Sequence, residues 1–194
     1  MPSSRKPKNK PTWSDVKAKL AGFDRAQLLG VVADLYSASR DNQTFLHARF
    51  GVVEDPLEAY KATISRWVYP DVFEREVHSV AKAKKAIADY RKAVGRHEGL
   101  GELMTFYCEQ ASTFAADVGM DDEGFFNALV AMFEHALQAL GHLDGAARQP
   151  LLARLEIVRS RCLRFGYCAG DDIDDLWNRW SDAGSGGSAP VDAQ

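Results

Sequence analysis

The chain has 194 residues, 46% hydrophobic and 26% charged, with a formal net charge of −3. That balance supports one globular core with short tails and excludes a chain too polar to fold. No apolar run approaches the roughly 18–20 residues that a membrane-spanning helix needs, so a membrane protein is not expected.

In chain order, Met1-Pro2-Ser3-Ser4-Arg5-Lys6-Pro7-Lys8 is basic and has no apolar segment of the kind a secretory signal carries, which points to a cytoplasmic protein. Residues 1–11 offer almost nothing to bury and read as a disordered basic arm. Thr12 with Asp15 predicts a cap on a short helix ending near Gly22. Asp24 with Gln27 forms a capping-box pattern and opens a helix to about Ser39. Along it Leu28, Val31, Val32, Leu35 and Tyr36 recur at three- and four-residue spacing. A helix is expected over about 42–50. Asp55-Pro56-Leu57-Glu58 places a cap, a first-turn proline and an acid ahead of a helix that ends near Tyr69, before Pro70. Ser79 caps the next, which stops at Gly95, and Asp121 opens another that ends near Gly141. Further helices are expected over about 99–118, 146–165 and 172–180, and residues 182–194 read as a flexible Gly- and Ser-rich tail.

Period-two alternation is scarce and hairpin signals such as Asn-Gly are absent, so the fold class is all-α. The expected architecture is a single domain over residues 12–181. It would be an irregular multi-helix bundle or a stack of helical hairpins, with about eight to nine helices. No tetratricopeptide or HEAT repeat signature supports a solenoid.

Charge is unevenly spread. Residues 1–97 hold 18 Lys+Arg against 11 Asp+Glu, a net +7, and residues 98–194 hold 6 against 16, a net −10. Such asymmetry fits either opposite surfaces that match within one molecule or a basic face offered to an acidic partner. The segment 79–96 carries six basic residues and one acid, Asp89. Val80, Ala83, Ile87, Tyr90 and Val94 form its expected buried stripe, and Lys82, Lys85, Lys92 and Arg96 its outer face. With Arg5, Lys6, Lys8 and Lys10 of the arm, that face is a candidate for phosphate contacts, because each cation placed there releases a counterion. The alternative is a solvated face, or one paired with the acidic half. His47 and Arg49, between Phe45, Leu46 and Phe50, are a candidate pocket for an anionic ligand, or polar residues at the rim of an apolar contact.

No His-x-x-x-His pair and no paired Glu-x-x-His motif is present, so no metal or other cofactor is expected. A Cys108–His135–Cys162 cluster is the one conceivable transition-metal set. The three cysteines include no Cys-x-x-Cys, and Cys162 could meet Cys168 only if the helix breaks at Gly166. Asp171-Asp172-Ile173-Asp174-Asp175 reads as a helix start, with Asp171 as cap and the other acids complementing the helix dipole. Gly95-Arg96-His97-Glu98-Gly99 reads as a joint between helices, since no strand precedes it as in a phosphate loop. No nucleophile elbow, phosphate loop or dinucleotide fingerprint occurs.

Four stretches, Leu35–Ser39, Phe45–Phe50, Tyr60–Ile64 and Lys82–Ile87, together resemble an uncharacterised bacterial all-helical family, a domain of unknown function, over roughly residues 13–180. The resemblance implies a bacterial cytoplasmic setting and one domain, and brings no catalytic or ligand-binding residue. The leading functional expectation is a non-enzymatic module that binds a protein partner through helices 42–69 and the acidic half. The second is a nucleic-acid-associated accessory protein using the basic arm and helix. The third is a small metal- or ligand-dependent enzyme.

Overall fold

A computed structural model describes residues 10–71 and 77–185. Nine helices are present among them and no strand: α1 Trp13–Leu20, α2 Arg25–Ala38, α3 Arg40–Phe50, α4 Leu57–Val68, α5 Val80–Ala93, α6 His97–Val118, α7 Glu123–Gly141, α8 Gly145–Cys162 and α9 Ala169–Ser185. The all-α class and the helix number agree with the sequence. The chain divides into two compact units, residues 1–46 and 47–194.

Local chemistry explains most helix starts. Thr12 and Asp15 form a capping box on α1, and Asp24 and Gln27 form another on α2, where the Gln27 amide donates to Asp24 Oδ1 at 2.8 Å. Ahead of α4 the Leu57 N–H reaches Asp55 Oδ1 at 2.8 Å, with Pro56 between them needing no acceptor. Three caps are displaced from expectation, the first at α4, where the cap position falls on Pro56, one residue after Asp55. Asp122, not Asp121, caps α7 by accepting from the Phe125 N–H at 2.9 Å. Asp171 lies inside the first turn of α9, because that helix already begins at Ala169. Its carboxylate therefore complements the dipole without capping the end. Ser79 precedes α5 without a side-chain capping bond and serves through its backbone carbonyl, which accepts from Lys82 and Ala83. The helix α9 also runs to Ser185, past the expected start of the tail at 182.

In the second unit α6 is the central rod, packed on α4, α5, α7 and α8, with α9 closing over α7 and α8. Leu103, Tyr107, Cys108 and Phe114 of α6 and Phe125, Leu129, Phe133 and Leu140 of α7 are all buried where these helices pack, with the Phe114 and Phe125 rings 6.1 Å apart. Each such side chain contributes about 1.5–3 kcal/mol by leaving water. The expected buried stripe of α5 is largely present: Ala83, Ile87 and Tyr90 are buried, joined by Ala86 and Ala93, while Val80 and Val94 are half-buried. Charged groups tie the rods laterally. Glu102 of α6 takes Lys61 of α4 at 2.7 Å and Arg154 of α8 at 2.5 Å, and Arg154 grips Glu109 with two further bonds of 2.8 and 2.7 Å. Arg159 of α8 likewise holds Asp174 of α9.

The first unit is built differently. Neither α1 nor α2 buries a single side chain. Asn42 of α3 donates to the Leu35 carbonyl at 2.7 Å and fixes the turn out of α2.

Candidate functional site

The large apolar side chains of α1 and α2 are mostly exposed, with Leu20 and Val31 half-buried. Trp13 is 69% exposed, Leu29 59% and Leu35 53%, with Val16, Phe23, Leu28, Val32 and Tyr36 also exposed. At 100° per residue the large apolar residues of α2, from Val31 through Leu35, Leu28, Val32 and Tyr36 to Leu29, span about 160° of the helix, wider than one neighbouring helix covers. The opposite side carries Ala26, Gly30, Ala33 and Asp34. Contiguous exposed apolar surface on this scale marks a contact site. Charge does not oppose self-contact: residues 10–46 hold five Lys+Arg and four Asp+Glu, a net +1.

The basic helix delivers fewer free cations than its sequence suggests. Lys82, Lys85, Lys92 and Arg96 are all exposed, as expected. The Lys82 ammonium sits 3.6 Å from the Trp67 ring centroid, however, and Lys85 pairs with Asp89 at 2.5 Å. Lys92 and Arg96 are left without an ion pair among the described residues. Lys10 is exposed, and Arg5, Lys6 and Lys8 lie outside the described residues.

His47 is half-buried, and the Arg49 guanidinium donates to the carbonyls of Lys92 and Ala93 at 3.3 and 3.1 Å. A cation on the last carbonyls of α5 satisfies that helix end and complements its dipole, which is a structural use of the charge. Within 42–69 the apolar residues divide: Tyr60, Ile64 and Val68 are core, whereas Phe50, Val52 and Val53 face outward.

The cysteines are free thiols, with Cys108 and Cys162 buried and Cys168 exposed. Burial pushes the Cys108 thiol well up, and burial likewise pushes Cys162 up to about 12. Neither is a thiolate nucleophile at neutral pH. Among the described residues no three His, Cys, Asp or Glu side chains form a metal-binding cluster, so Cys108, His135 and Cys162 do not assemble as one. No described helix is long and apolar enough to cross a membrane.

No protein-family model, curated protein or solved structure matches the chain. Its functional reading therefore rests on geometry and chemistry.

Proposed function

We propose that the chain is a non-enzymatic helical interaction protein whose α1–α2 unit docks on the same unit of a second copy. One observation carries this reading: two helices with a wide apolar face bury none of their own side chains. Two such helices from each of two copies supply four rods, enough to enclose an apolar centre. A two-fold pairing sets the same patch against itself, and the near-neutral charge of residues 10–46 permits it.

Magnitude sets the strength expected. If about half of the ~1.5–3 kcal/mol per large apolar side chain remains to be gained, the face supplies on the order of 10 kcal/mol. Association costs about 4–15 kcal/mol, so the pairing is reversible and concentration-dependent, not permanent. Sedimentation equilibrium of the full chain, with Leu28→Asp and Leu35→Asp combined as the comparison, tests this. Both positions are exposed within one copy, Leu28 at 40% and Leu35 at 53%, so the charges are expected to leave the helix in place. The wild type is expected to dimerise and the double variant to stay monomeric at every concentration. A monomeric wild type at sub-millimolar concentration sinks the proposal. So does a heterologous helical protein bound through Leu28 and Leu35 in place of a second copy.

A further inference from the structure

A groove of about 610 Å³ opens in the second unit where α5, α6 and α7 converge, and its chemistry is uneven. Leu100, Met104 and Met132 give it an apolar floor, while Lys84, Arg91, His97, His135 and His142 stand along its sides. Among the described residues no acidic one lines it. Lys84 and Arg91 make no ion pair among the described residues, although elsewhere in this unit Lys61, Lys85, Arg154 and Arg159 are all paired. The His97 and His142 rings lie 4.8 Å apart on one side of the groove. His97 is also the first residue of α6, and Arg96, at the capping position, offers no side-chain acceptor to the first turn. The two ionised side chains of the lining, Lys84 and Arg91, are thus both cations, with Gln138 as a neutral amide beside them and apolar residues beneath.

We infer that this groove binds a small amphiphilic anion, a phosphate monoester or carboxylate attached to a compact apolar body. The head lies among Lys84, Arg91 and the histidines, and the apolar body rests on Met104, Met132 and Leu100. Methionine suits such a floor because its unbranched thioether adapts to ligands of different outline. The volume is that of an ordinary small-molecule site.

Isothermal titration of the full chain with octyl phosphate below its micelle concentration tests this. Octyl glucoside and inorganic phosphate, which separate the apolar and anionic halves of the ligand, serve as controls. One site is expected for octyl phosphate, weakening as salt rises, with each control at least tenfold weaker. Lys84→Glu combined with Arg91→Glu is expected to reduce affinity at least tenfold while the helical circular dichroism is retained. Leu28→Asp with Leu35→Asp is expected to leave it unchanged, so failure of the self-association reading and failure of the groove are distinguishable. Absence of octyl phosphate binding, equal binding of octyl glucoside, or affinity insensitive to the Lys84 and Arg91 reversal would each overturn the inference. Tight binding of inorganic phosphate alone overturns the amphiphile in favour of a bare anion site.

Discussion

At Gly99, in the first turn of α6, a Cβ would stand 1.9 Å from the Tyr90 hydroxyl oxygen. Tyr90 is buried and its ring meets Tyr60 edge-on at 5.4 Å, so it has little room to retreat. Gly99→Ala is therefore expected to destabilise the second unit by about 1–3 kcal/mol, the usual cost of overpacking. That exceeds the helix-propensity gain of about 1 kcal/mol that alanine brings. Urea unfolding reads the sign directly, and a stabilised variant would show that Tyr90 is free to move. The glycine itself was legible in sequence as part of a hinge, but its reason was not, because Tyr90 belongs to another helix. Arg49 is similar: nothing in Phe45–Phe50 names two backbone carbonyls as the destination of its guanidinium. Tyr167 and Cys168 both adopt left-handed backbone, with φ of 56° and 57°, a conformation that asparagine or glycine would have advertised.

Helix boundaries were the most legible feature, since capping boxes at Thr12/Asp15 and Asp24/Gln27 act within four residues of chain. Lateral attachment was not. The clasp of Lys61, Glu102, Glu109 and Arg154 joins three helices across 93 positions of sequence and has no local signature. Burial alone would raise the Glu102 pKa, but hydrogen bonds from Arg154 and Lys61 outweigh it and hold the carboxyl below its ordinary value. A depressed folded-state pKa contributes stability that is fully present above the unfolded value of about 4.3 and is lost as pH falls through the folded one. Arg154→Met is thus expected to cost about 1–2 kcal/mol at pH 7, mainly by removing the stronger of the two cations that hold Glu102 ionised. In urea titrations at the two pH values the gap between variant and wild type should narrow by pH 3. A gap independent of pH would assign the loss to packing of the arginine stem.

For the molecule as a whole, the opposite charges of the two halves meet in part within one chain, as in Lys61 with Glu102. The regular apolar spacing of α2 reads from sequence as one face of a helix. Periodicity does require that such a face be covered, but it cannot say from which chain the cover comes, and the stripe is exposed. The groove was invisible for a different reason: its cations and histidines are scattered over residues 84–142, and only the convergence of three helices gathers them. Hydrogen exchange of α2 amides at two protein concentrations, with α6 and α7 as internal references, addresses the docking face directly, because backbone protection reports cover that side-chain exposure only implies. Protection of α2 that rises with concentration while α6 and α7 stay constant is the result expected. Equal and rapid exchange of α2 at both concentrations would contradict it.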